Sequence, residues 1–200
     1  MSILLNSFPT KINGCAIHTD FRVMIQYQKL IKNDNLSEEQ KINIALNRFY
    51  IEKPDNMEKA IKGLNWFYQC GRTEKTSKGN GRNVIAYDFT QDDYMIYSAF
   101  YQSYYIDLEN TYMHWWKFSS LLLSLPKDTL FMEIVGYRVA DTSDMPKKMK
   151  AFYDKQKKLY AVNKNHKRKY MTLEERDAAF QAEMDKKFQR AMLRNKKERN

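Results

Sequence analysis

Tyr112-Met-His-Trp-Trp-Lys-Phe-Ser-Ser-Leu-Leu-Leu-Ser-Leu125 is the stretch whose reading decides the fold. Wound as a helix, it puts Trp115, Phe118, Leu122 and Leu125 on one line at intervals of three and four. Trp116, Leu121 and Leu123 widen that line until most of the circumference is apolar. A surface helix shows an apolar stripe, whereas a helix apolar nearly all round is covered on several sides. Adjacent tryptophans point about 100° apart, so the pair is expected to serve different neighbours. These five residues (115, 116, 118, 122, 125) are the expected core.

Outward from this segment the chain reads mainly as helix. Six Gly and four Pro in 200 residues leave room for long regular elements. Upstream, Asn13-Gly14 is a strong hairpin signal, since a type I′ turn needs positive φ at both central positions. Lys11-Ile12 and Cys15 to Ile17 flank it, with residues 3–5 as a third candidate strand. Asp20 caps a helix through Ile31 that buries Val23, Tyr27 and Leu30 or Ile31. Ser37 to Gln40 is a capping box ahead of Ile42, Ala45, Leu46 and Phe49. Asp55 to Glu58 opens a helix carrying Met57, Ile61, Leu64 and Phe67 or Tyr68, ended by Gly71. Residues 72–83 hold no apolar side chain and read as a surface loop.

Further on, Thr90 is expected to cap a helix, with Asp92 and Asp93 favouring its positive end. Asp107 is expected to start the tryptophan helix. Pro126 would begin a short helix over 127–135, closed by Gly136. Met145-Pro146 starts another, to about Tyr160. Thr172 to Glu175 is a further capping box, opening a last helix with Leu173, Phe180, Met184, Phe188 and Met192 on one side. The expected architecture is mainly α: a small N-terminal β-hairpin, a multi-helix bundle packed on the central Trp-rich helix, and a basic C-terminal helix.

Charge divides the chain. From Lys147 to the end there are 18 Lys+Arg against 7 Asp+Glu, while the first 146 residues carry 16 and 17. A near-neutral body over residues 1–160 and a basic amphipathic arm over 161–200 are the expected domains. Two cysteines far apart in sequence argue against a disulfide scaffold and for reduced thiols. No apolar run reaches the ~18 residues of a membrane span, and the first residues lack a signal-peptide pattern. A soluble chain in the cytoplasm is expected, without a membrane partner.

No catalytic motif emerges. His18, His114 and His166 lack the i, i+3 or i, i+4 spacing of a helical metal site, and neither cysteine is near them. His114, beside two tryptophans, reads as a core or boundary histidine. Gly79 and Gly81 lack the rest of a phosphate loop. Neither cofactor nor metal is expected, and the chain is read as no enzyme.

Two binding surfaces remain. Tyr94, Tyr97, Tyr101 and Tyr104 repeat at helical spacing and could form a recognition face, since tyrosine joins large contact area to a polar tip. The blander reading packs most of these rings on the tryptophan helix and exposes one or two; it is preferred. In the arm, Leu173, Phe180, Met184 and Phe188 suit docking on a partner helix. Its cations Lys164, Lys167, Arg168, Lys169, Lys186, Lys187, Arg190 and Arg194 suit nucleic acid as a second choice. The apolar stripe favours a protein partner, because a phosphate-gripping arm does not need it.

Six short segments carry a resemblance: Tyr87-Asp-Phe89, Ile96 to Phe100, Tyr105 to Leu108, His114-Trp-Trp-Lys-Phe118, Leu125 to Thr129 and Gly136-Tyr-Arg138. With Thr19-Asp-Phe-Arg22 and Trp66 to Gly71, the chain over residues 1–160 resembles the bacteriophage gene-product-fifteen family of long-tailed phages. The resemblance implies a tail-assembly role and no catalytic residues. Family genes typically lie between those for the major tail protein and the tape-measure protein. That order implies a chaperone for the tape-measure chain, with the major tail protein as a further partner, in the host cytoplasm. A minor tail or tail-completion component of the virion is the alternative. A nucleic-acid-binding phage protein is another.

Overall fold

A computed structural model describes residues 5–72 and 85–162, which belong to one compact unit. The hairpin pairs β1 (Lys11–Ile12) with β2 (Cys15–Ala16), antiparallel, with Ile12 opposite Cys15. Asn13 and Gly14 both take positive φ, 53° and 83°, as the Asn-Gly signal requires. Residues 3 and 4 lie outside the described residues, and Leu5 stands exposed in a turn.

Among the described residues seven helices follow: α1 (Phe21–Ile31), α2 (Glu38–Phe49), α3 (Met57–Tyr68), α4 (Asp93–Tyr104), α5 (Trp115–Leu123), α6 (Leu130–Val139) and α7 (Lys147–Leu159). Local chemistry starts most of them. Asp20 accepts the Arg22 amide, Ser37 and Gln40 form the full capping box, and Asn56 accepts the Lys59 amide. Helix α1 packs on α2 and α5, α2 on α3, α4 on α6, and α6 on α7. The extended segment 17–20 binds the layers together by backbone hydrogen bonds. On one side His18 N–H donates to Phe49 O; on the other Phe21 N–H donates to Met113 O and Trp115 N–H to Thr19 O.

Helix α5 is enclosed as its composition demands. Trp115, Trp116, Phe118, Leu122 and Leu125 are all buried, and Phe118 is fully inaccessible. Phe118 stacks on Phe21 at 4.5 Å and on Phe100 at 5.0 Å. Leu123, expected on the buried arc, is instead exposed, so the apolar surface does not run right round. The tryptophans do meet different rings: Trp115 stacks on Tyr68, and Trp116 lies edge-on to Trp66. Both indole N–H groups nonetheless donate to the same helix end, Trp115 to Tyr68 O and Trp116 to Phe67 O, each at 2.9 Å. They satisfy carbonyls at the C-terminus of α3, where a helix runs out of its own donors.

Several boundaries differ from the sequence expectation. Helix α5 starts at Trp115 with His114 as its cap, not at Asp107. Asp107 instead closes a tight turn by accepting the Glu109 amide and the Asn110 side chain, after Tyr105 has ended α4 in the left-handed region. Helix α4 starts at Asp93, not after a Thr90 cap, because Asp88 accepts the amides of Thr90 and Gln91. Asp92 does not serve the helix dipole in solvent: its carboxylate is fully buried and bound to Arg138. Helix α6 starts after Thr129, not at Pro126, and runs through Gly136 to Val139. That extra turn carries Arg138 to Asp92. On the earlier helices, Leu30 and not Ile31 is the buried one of that pair, while Ile42 and Met57 are exposed although read on the apolar face. The loop expected at 72–83 and the C-terminal capping box at 172–175 fall outside the described residues, apart from Arg72.

Candidate docking surface

Residues of helices α1 and α4 line a groove over the aromatic core, a cavity of about 370 Å³. Its floor is Phe21, Phe89 and Phe118, with Ile25, Ile96 and Leu108 on the walls. Tyr94 and Tyr97 stand on one rim, and Arg22 and Lys29 on the other. A concave apolar site with a few polar groups at its edge is the usual form of a pocket that receives a partner side chain.

Arg22 builds this groove. Its guanidinium pairs with Asp20 at 3.0 Å, donates to the carbonyls of Leu108 and Glu109, and lies 4.6 Å over the Phe21 ring. It thereby holds the 105–111 turn against α1. Tyr97 ties the same turn to α4, its hydroxyl donating to Asp107 Oδ1 at 3.1 Å. That bond raises the Tyr97 phenol above its ordinary range. Asp107 is lowered, chiefly by the Asn110 side chain and the Glu109 amide.

Of the tyrosine stripe, Tyr94, Tyr97 and Tyr101 are exposed, and only Tyr104 reaches α5, donating its hydroxyl to Leu121 O at 2.9 Å. The preferred expectation, that most of these rings pack on the tryptophan helix, is therefore corrected. Helix α4 instead buries Ile96, Ala99 and Phe100, and that face turns Tyr94, Tyr97 and Tyr101 outward. The groove floor was not visible in sequence, because Phe21, Phe89 and Phe118 come from separate segments. All the arm residues named above, Lys164 to Arg194, lie outside the described residues.

The ionisable groups do not converge on a reaction centre here. Among the described residues no group of three or more His, Cys, Asp or Glu could hold a metal ion. Cys15 and Cys70 are free, and burial raises the Cys70 thiol. His18 is exposed on the segment after the hairpin.

His114 is occupied structurally. Its Nδ1 accepts the Trp116 amide at 3.1 Å, and its ring stacks on Phe8 at 4.7 Å. Nε2 lies 3.1 Å from Pro9 O and so carries the proton. Burial lowers its pKa from 6.5, and the Pro9 bond only partly opposes this. The folded state thus resists a proton that the unfolded chain accepts. Stability is expected to be full above about pH 6.5 and to fall as pH drops through the lower folded value. The carboxylates Asp88 and Asp107, lowered from 3.8, lose their contributions in a separate and more acidic window. His114→Asn keeps a cap acceptor and should flatten Tm against pH below about 6.5. An unchanged slope would remove His114 from this role.

Fold and surface together define a helical protein with an aromatic-lined groove between two of its helices. Among the described residues no helix is long and apolar enough to cross a membrane. The family model described as Bacteriophage Gp15 protein matches residues 3–162, and the chain belongs to that family. It is a non-enzymatic bacteriophage tail-module family, and membership places the chain in tail assembly. No curated protein and no solved structure matches it.

Proposed function

We propose that this chain is a tail-assembly chaperone that binds the tape-measure protein while the tail is being built. The groove between α1 and α4 carries the reading: an apolar hollow above the buried rings of Phe21, Phe89 and Phe118, edged by the exposed rings of Tyr94 and Tyr97. A long helical partner keeps its apolar side chains out of water by inserting them where aromatic surface is already preformed. Family gene order, between the major tail protein and the tape-measure protein, supports that choice of partner, with the major tail protein as a further candidate.

The basic arm over 161–200 belongs to the same proposal as a second contact, through Leu173, Phe180, Met184 and Phe188. Two contacts on one chain raise avidity without either being tight alone.

Co-expression with the tape-measure protein tests this. The two are expected to co-purify, and the chaperone to be absent from mature particles by mass spectrometry. Tyr94→Ala with Tyr97→Ala should weaken the complex by at least about tenfold, as loss of aromatic anchors does. Removing residues 163–200 should weaken it further and leave the helical signal of the body. Stoichiometric presence in virions would make the chain a minor tail or tail-completion component instead. Steep loss of DNA binding with salt, without tape-measure binding, would point to the arm gripping phosphates.

A further inference from the structure

Helix α7 lies against α6 on one side only and buries no residue completely. Its inner arc is polar-aromatic: Tyr153 and Tyr160 meet Tyr137, and Lys157 donates to Ala140 O. The adjoining side, which begins at Phe152 with one ring edge on Tyr137 at 5.9 Å, is unusual. Lys148, Phe152, Lys155 and Leu159 follow one another at spacings of four, three and four, which places them in a single column within about 60° of arc. Met149 flanks that column. Phe152 is 48% exposed, Met149 52% and Leu159 67%. Three large apolar side chains in the open on one short helix are a contact surface waiting for a cover.

Charge identifies the cover. The helix carries six lysines and one acidic residue, Asp154, which faces Thr142. Among the described residues neither Lys148 nor Lys155 makes an ion pair. We propose that the Lys148–Phe152–Lys155–Leu159 column of α7 docks an acidic amphipathic helix of a partner protein. In that complex Phe152 and Leu159 enter the partner's apolar seam, and the two lysines meet glutamates or aspartates beside it. Pairing of this kind fixes register and partner choice in helix–helix contacts. A second copy of this chain is a poor cover, because two identical lysine columns would face each other. An anionic membrane fits less well, since interfacial helices separate an apolar face from a basic one. Here Lys155 sits between Phe152 and Leu159 and would be dragged below the headgroups with them. The column borders the α6 contact, where one edge of Phe152 meets Tyr137, and makes no use of the α1–α4 groove, so it stands or falls apart from the tape-measure proposal.

The test uses the full chain and a labelled synthetic peptide of about three heptads, with leucine at the seam and glutamate at the flanking positions. A control peptide carries lysine in place of each glutamate. In fluorescence anisotropy the glutamate peptide is expected to bind at least about tenfold more tightly than the control. Phe152→Ala with Leu159→Ala should weaken it about tenfold, and Leu159→Ala alone, at the more exposed site, should weaken it in the same direction with circular dichroism unchanged. Lys148→Glu with Lys155→Glu should transfer preference to the lysine peptide. Equal binding of the two peptides overturns the proposal. So does a preference that survives the charge reversal, because another basic surface would then hold the peptide. Dimerisation abolished by Phe152→Ala would show a second copy on this face. Binding to phosphatidylserine vesicles without peptide binding would show a membrane there, and either result rejects the acidic helix.

Discussion

Arg138→Ala is expected to destabilise the protein by about 3–5 kcal/mol, the range for breaking one side of a buried ion pair. For a domain of this size that is a fall in Tm of roughly 10 °C. The guanidinium grips Asp92 with both ends, at 2.6 and 2.9 Å, and both side chains are shut off from solvent. It also donates to Tyr160 O at 2.6 Å and Ala86 O at 3.1 Å, while Asp92 accepts the Asp88 amide at 2.9 Å. One side chain thereby ties the start of α4, the end of α6, the strand of chain entering at 86–88 and the end of α7. Truncating it strands an ionised carboxylate and two carbonyls at once. Arg138→Lys should recover little, since an ammonium cannot match the planar fork. Asp92→Leu with Arg138→Met removes the stranded charge and should be less harmful than either single change. It should not reach wild type, because Tyr160 O and Ala86 O still lose their donor. Urea denaturation of these five variants checks the order. A double variant as unstable as Arg138→Ala would show that the carbonyl contacts, not the charge pair, dominate.

That pair also marks where the sequence stopped being legible. Helices α1, α2, α3 and α7 could be read because their signals are local: Asp20, Ser37 with Gln40, and Asn56 cap by side chains two or three residues from their targets. Asp92 looked like a first-turn carboxylate for the same local reason. Its partner lies 46 residues away, and no pattern in the chain says that an Asp beside an Asp turns inward. Gly136 looked like a helix stop, yet its φ is ordinary and nothing crowds its position. Tertiary binding of Arg138 outweighs the ~1 kcal/mol that a mid-helix glycine costs. The missing first turns of α5 have a similar cause, since backbone pairing of 113 and 115 with 19 and 21 holds that stretch extended.

The surfaces were less legible than the core. Helical spacing displayed the tyrosines of α4 but could not show that α1 would leave a trench beside them. Arg22, which positions the trench wall, stood in sequence only as part of a family segment, because its targets are backbone carbonyls 86 and 87 residues away. On α7 the pattern is amphipathic in both directions, and only the packing of α6 reveals which apolar side chains stay uncovered. Function came from resemblance for a physical reason. A protein that works by shape-matched contact needs no residue type at fixed spacing, whereas chemistry does.

Trp116→Ala is expected to cost about 3–5 kcal/mol, as large-to-small changes at buried aromatic sites do. The indole is enclosed by Trp66 at 5.2 Å, Phe67 at 6.0 Å and His114 at 6.1 Å. Its lost hydrogen bond is a minor part, because Phe67 O keeps the Cys70 amide. Trp116→Phe should therefore cost clearly less than Trp116→Ala. The indole also explains Gly71, which follows α3 with φ of +69°, and where a Cβ would stand 2.8 Å from Trp116 Cη2. Gly71→Ala alone meets both the left-handed backbone penalty, about 1–2 kcal/mol, and that collision. In the Trp116→Phe background the ring is shorter, which leaves the backbone penalty and a milder crowding from Trp66 Cζ2 at 3.3 Å. The two changes should thus couple, with Gly71→Ala costing less beside Phe than beside Trp. Chemical denaturation of the four proteins measures that difference. Identical costs in both backgrounds would mean that the turn of the chain alone, and not the approach of the indole, demands glycine there.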